Sequence, residues 1–204
     1  RHADAGTVDL PRTRPFLRLV SPAAAGVDML AAEVAIGLLA DRPGAGDVQL
    51  LLPFARREWR EALATEEAAA RAKGYAMRLP ARFDRLVAHK LVTGVSELSA
   101  PMNLSGPAAR SAAFGRLGQA LVDRGKLLVV AGQADDDDDS AAALLRYAMK
   151  QQVPTLRLDP RGDKPPALLR RLDPLTESPL TPGLLDRLLE PGFRTEIARA
   201  ADQP

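Results

Sequence analysis

The feature that most constrains this chain is a repeated alternation of short apolar runs with longer segments of helical period. Phe16–Val20, Asp47–Leu52, Val92–Leu98, Lys126–Ala131 and Val153–Leu158 are runs of five to seven residues, rich in Leu and Val. They are too short for buried helices, and most are bounded by Pro, Gly or polar residues, which reads as strands. The run Lys126-Leu127-Leu128-Val129-Val130-Ala131 is nearly all apolar, as a strand covered on both faces must be.

The intervening segments carry the 3.6-residue period. Between 28 and 40, Val27, Leu30, Ala31, Val34, Ala35 and Leu38 recur at i, i+3, i+4 spacing and predict one buried face. Residues 56–73 have high helix propensity but a weak apolar stripe, and read as a surface helix or an insertion. A helix over 82–90 places Phe83, Leu86 and Val87 on one side. One over 108–124 is expected to bury Phe114, Leu117, Leu121 and Val122, and one over 140–151 to present Leu144, Leu145 and Ala148.

Strand–helix alternation implies right-handed βαβ crossovers. The expected fold is therefore α/β, a three-layer Rossmann-like domain with a mostly parallel sheet and helices on both faces. Residues 1–15, punctuated by Pro11 and Pro15, read as a lead-in segment, and 16–160 as the domain. Residues 161–204, with recurrent prolines around amphipathic pieces such as Leu180–Glu190, read as a Pro-rich helical appendage outside the sheet. A start at Arg1 rather than Met is expected of a piece of a longer protein.

Composition narrows the function classes. The 204 residues hold no Cys, which removes disulfides, thiolate catalysis and zinc–thiolate sites together. His2 and His89 are the only histidines, too few for a histidine metal site or a triad. The net charge of +2 is spread without a basic stripe or aromatic platform, so no nucleic-acid partner is expected. No apolar run reaches the ~20 residues needed to span a bilayer and no signal peptide is visible, so the expected setting is cytoplasmic, with no membrane partner. GxSxG, GxxxxGK[ST] and HExxH are absent, and no catalytic residues are assigned.

Ligands of open parallel sheets bind beyond the carboxyl ends of the strands, near helix N-termini. Four loops stand there, 21–28, 53–57, 99–107 and 132–140, and three of them carry candidate residues. In Ser21-Pro22-Ala23-Ala24-Ala25-Gly26-Val27-Asp28 a glycine lets a ligand approach the backbone. Asp28 either caps the helix or accepts a ribose hydroxyl. After the second strand, Pro53, Phe54 and Arg56 offer a turn and a phosphate-clamping guanidinium, or simply a surface arginine entering a helix. The third, Asp135–Asp139, lacks the glycines that cradle phosphates and the spacing of a calcium loop, and reads as a solvated acidic loop. Arg161-Gly162-Asp163 is taken as a chance tripeptide, and Glu33, Asp84 and Glu97 as carboxylates without a paired nucleophile.

Taken in order, these stretches resemble the SLOG superfamily of Rossmann-like ligand-sensing domains over roughly residues 16–160. Leu17–Ser21 with Gly26-Val27-Asp28 and Ala31-Ala32-Glu33 is similar to the family's strand, Gly-Ala-Asp turn and helix. Gln49–Phe54 is similar to its next strand and Leu-Pro-Phe end, and Leu127–Ala131 through Tyr147-Ala148 to Val153–Leu158 to its late strand, glycine loop, helix and last strand. The resemblance implies a nucleotide-derived ligand at Ser21, Gly26, Asp28, Pro53, Phe54, Arg56 and Ser140. The family's Gly-Gly-Thr falls on Asp139, Ser140 and Ala141, and its opening Gly-His-Arg strand is not evident before Phe16, lying upstream of Arg1 or lost. Trp59 stands where relatives often have Tyr.

These departures point away from hydrolase activity. The expected function is thus a non-catalytic module that senses a nucleotide-derived ligand, without other cofactor or metal, within a larger signalling or defence protein. Two alternatives remain: a degenerate scaffold that has lost its ligand, docking a second copy or an effector domain through 161–204, and an N-glycosidic hydrolase using Asp28 or Glu33.

Overall fold

A computed structural model describes residues 16–98, 107–131, 139–159, 161–172, 175–181 and 183. Within them the chain is α/β, with five helices and seven strands divided between two sheets.

The first sheet is wholly parallel, in the order β1 (Leu17–Ser21), β2 (Gly46–Leu52), β3 (Val92–Glu97). Ser21 lies beside Leu50 and Leu52 beside Glu97, so the three carboxyl ends open on one edge. β2 is central and buried along almost its full length, which its sequence Gly46-Asp47-Val48-Gln49-Leu50-Leu51-Leu52 permits. Its one acidic side chain, Asp47, is 5% exposed and fully engaged. Arg18 donates to it in bidentate fashion at 2.7 and 2.7 Å, and the Thr93 hydroxyl at 2.6 Å.

Helices α1 (Val27–Ala40), α2 (Arg56–Ala72) and α3 (Leu79–Ala88) connect these strands. Met29 and Ala32 of α1, Trp59 and Leu63 of α2, and Leu79, Phe83 and Leu86 of α3 close a core over Val48, Leu50 and Leu52. The surface helix expected at 56–73 is present as α2, largely exposed but anchored in the core by Trp59 and Leu63. Its buried stripe is two large residues at i and i+4, and the alanines around them hide it in the sequence.

The second sheet runs β4 (Leu128–Ala131), β5 (Thr155–Leu158), β6 (Ala167–Leu172), β7 (Leu175–Pro179). β4 and β5 are parallel across helix α5 (Asp139–Lys150), whereas β6 and β7 are antiparallel additions. Helix α4 (Pro107–Arg124) reaches both cores: Ala113 joins the first, and Val122 packs with Leu128, Ala148 and Val153 in the second.

Three expectations change here. Among the described residues the strands pair as a parallel three-stranded sheet and a mixed four-stranded one rather than as one mostly parallel sheet. Part of 161–204 belongs to that mixed sheet rather than to a helical appendage, because Leu168 and Leu169 are buried between β5 and β7. The prolines misled: Pro165 and Pro166 precede β6 and Pro179 ends β7, places at a strand's start and on a sheet's margin where a missing N–H is tolerated. Finally, α1 buries Met29, Ala32 and Leu39, and turns Val27, Leu30, Val34 and Leu38 outward. A helix apolar on every side does not reveal from its sequence which side meets the sheet. The lead-in 1–15, the loop 99–106, Gly132–Asp138 and most of Leu180–Glu190 lie outside the described residues.

Candidate functional site

The carboxyl ends of β1, β2 and β3 bring the first two loops side by side. After β1 the chain turns through Pro22–Gly26 before entering α1. Ser21 is buried here and organises the turn: its hydroxyl donates to the Asp28 carbonyl at 3.0 Å and accepts the Ala23 N–H at 3.1 Å. It braces the loop from within. Ala23 has φ +50° and Gly26 φ +86°, ψ −127°. The first is costly for a residue with a Cβ and the second is reserved in practice for glycine. The strain in this turn is therefore that of Ala23 alone, Gly26 adopting its conformation without a Cβ penalty.

Gly26 is also the N-cap of α1, and no side chain caps that end. A Cβ placed on it would meet nothing within 4 Å, so the space above the helix start is open. The Met29 N–H is already taken by the Ala24 carbonyl at 3.0 Å, so it is the Val27 and Asp28 N–H groups that, together with the helix dipole, favour an anion there. Asp28, in the first turn, is half-buried, and its burial raises the carboxyl above the ordinary aspartate range. A carboxyl so placed takes a proton, or a hydroxyl donor from a ligand, more readily than an exposed one.

At the end of β2 the plainer of the two readings holds, a surface arginine entering a helix. Pro53 and Phe54 are buried, so they shape the second loop from behind. Arg56 starts α2 with an exposed side chain, while its backbone N–H donates to the Glu97 carboxylate at 2.9 Å. Glu97, from the end of β3, therefore occupies the position an anion would take at the start of α2. The start of α2 is thus already met by a carboxylate, whereas no side chain caps the Gly26 end of α1.

An aromatic trio adjoins the second loop. Phe54 packs against Trp59 with ring centroids 5.9 Å apart, and Phe114 of α4 stands edge-on to both at 5.8 and 5.9 Å. Phe54 and Trp59 are buried, but Phe114 is 41% exposed, where the sequence predicted burial. The Trp59 Nε1–H is buried with no hydrogen-bond partner. Neither Phe114 nor this indole was legible as a site feature: an aromatic at helical spacing reads as core.

The remaining candidates fall elsewhere. Glu33 pairs with Arg82 of α3 in a two-pronged bridge at 2.9 and 2.7 Å, which holds its carboxyl below the ordinary range and joins α1 to α3. A hydrolase using Glu33 would first have to break that bridge. Asp84 is tied to Arg60. Ser140 occupies the second position of α5; its side chain and Asp135–Asp138 lie outside the described residues. Arg161-Gly162-Asp163 sits in the β5–β6 connection, where the Asp159 carboxylate accepts the Arg161 and Lys164 N–H groups at 3.0 Å each.

Among the described residues no cluster of His, Cys, Asp or Glu is arranged to hold a metal ion, and no helix is long and apolar enough to cross a membrane. No protein-family model, curated protein or solved structure matches this chain.

Proposed function

We propose that the chain is a non-catalytic binding module for a small anionic ligand of the nucleotide-derived kind, seated at the Gly26 turn. The uncapped start of α1 under an open glycine carries the reading. An anionic group of the ligand lies over the α1 N–H groups, and a hydroxyl donates to Asp28. Phe114, 41% exposed beside the second loop where it packs on Phe54 and Trp59, offers an aromatic side chain of the kind a base stacks on. The left-handed backbone at Ala23 supports the same reading, because strain persists where the fold holds a loop in shape for a task. The likeness to SLOG domains at Leu17–Ser21 and Gly26-Val27-Asp28 points to the same loop.

Catalysis is not part of the proposal. Glu33 is committed to Arg82, and Asp28 stands without a paired nucleophile or base among the described residues.

Thermal shift and titration calorimetry against mono-, di- and cyclic nucleotides and adenine dinucleotides test this. A true ligand at a hundred times its Kd raises stability by about 2.7 kcal/mol. Gly26→Ala is expected to abolish that rise while the free protein still folds, since a side chain at φ +86° forces the turn to move. A panel with no response at millimolar ligand, or a response unchanged by Gly26→Ala, would overturn the assignment.

A further inference from the structure

A cavity of about 350 Å³ opens between α1 and α3, lined by Glu33 and Ile36 of the first and by Arg82, Arg85, Leu86 and His89 at the end of the second. Its volume is that of a small-molecule site. His89 closes α3 just before β3 begins, so the cavity stands toward the amino edge of the first sheet, away from the Gly26 turn.

The polar groups here are unevenly matched. Arg82 and Glu33 satisfy each other in their two-pronged bridge. The Glu33 carboxyl is held low chiefly by those Arg82 hydrogen bonds, and Arg85 stands close enough to add to the effect. Arg85 itself makes no hydrogen bond or ion pair among the described residues. The His89 Nδ1 accepts the Leu91 N–H at 3.2 Å, which places the ring proton on Nε2. That Nε2–H has no acceptor among the described residues. Two unmatched donors thus share a cavity with the apolar side chains of Ile36 and Leu86.

We propose that this cavity binds a small organic carboxylate, its oxygens on Arg85 and His89 and its hydrocarbon body against Ile36 and Leu86. Charge decides the sign of the ligand. Arg82 and Arg85 set against Glu33 leave one net positive charge, whereas the carbonyl end of α3 contributes only about half a negative one. The planar fork of Arg85 matches a carboxylate in two bonds. Ile36 and Leu86 favour an organic acid over a bare inorganic ion, because a hydrocarbon body displaces water from them. This site does not rest on the Gly26 turn.

The test follows the full chain by NMR, through the Ile36 and Leu86 amides and the His89 ring, as benzoate is added to about 20 mM. Saturable shifts are expected, with acetate about tenfold weaker for want of an apolar body. Arg85→Gln and His89→Asn are each expected to weaken benzoate about tenfold. Asparagine keeps an acceptor for the Leu91 N–H, so the local fold is retained. Arg57→Gln, an exposed arginine of α2, is expected to leave the affinity unchanged. Equal weakening at Arg57 and Arg85 would reduce the effect to general charge attraction, and equal affinity for acetate and benzoate would remove the apolar half. Either result overturns the assignment, as does the absence of shifts at about 20 mM or a response centred on the Val27 and Asp28 amides instead.

Discussion

Asp47 shows how one residue constrains three strands. It sits at the start of the central strand, takes two bonds from Arg18 of β1 and one from Thr93 of β3, and is held below the ordinary aspartate range chiefly by the Arg18 hydrogen bonds. A carboxylate whose folded pKa is lowered contributes stability that is present above its unfolded pKa, about 3.9, and lost as pH falls through the folded value. Asp47→Asn is therefore expected to cost about 1–2 kcal/mol at pH 7, modest for a buried acid because Arg18 remains half in water. In urea melts at several pH values, the gap between the two proteins should close below about pH 4. A gap independent of pH would mean that shape, not charge, is what the amide disturbs. The sequence concealed this residue. Asp47 reads as the polar end of a strand, because its partners stand 29 and 46 positions away and only the parallel register brings them together. Gly26 was legible for the opposite reason: its requirement is local, a turn into a helix.

Elements were legible where their periodicity had one meaning, and misread where it had two. The five strands up to residue 158 and all five helices fall within a few positions of their expected places, since apolar runs bounded by breakers and long amphipathic stretches are both local signals. The faces of α1 were not, and neither were β6 and β7. Ala167–Leu172 lacks alternation and is enclosed by prolines, yet it pairs with β5 and buries Leu168 and Leu169. Arg157 of β5 and Glu177 of β7 form an ion pair that bridges across it. This hairpin is thus expected to be structural rather than a dispensable tail. Ending the chain at residue 160 removes two buried leucines, each worth about 1.5–3 kcal/mol. It also bares the edge of β5, where unpaired backbone invites aggregation. The truncated chain should lose several °C in Tm and much of its solubility. A truncation that melts where the full chain does would show that the β5 edge needs no cover.

At the scale of the whole molecule the question is whether two sheets and two cores unfold as one. Their connection is concentrated in α4: Ala113 lies in the first core, Phe114 touches Phe54 and Trp59, and Val122 belongs to the second core. Tyr147 donates to Asp123 at 2.8 Å and so ties α5 to the far end of the same helix. A rigid helix packed into both cores cannot leave one without disturbing the other, so the two cores are expected to unfold together although the chain exceeds the ~150 residues below which a single transition is usual. Trp59 is the only tryptophan and lies in the first core, so its emission follows that core, whereas far-ultraviolet circular dichroism follows every helix and strand. The two urea transitions are expected to coincide in the full chain. Phe114→Ala removes the aromatic contact but leaves Ala113 and Val122 in place, so it should lower both midpoints together by a similar amount. If Trp59 instead melted at lower urea than the dichroism signal, α4 would be a tether between separately folding halves. The Gly26 turn would then answer to the stability of the first core alone, and a ligand bound there would shift the fluorescence transition without moving the other.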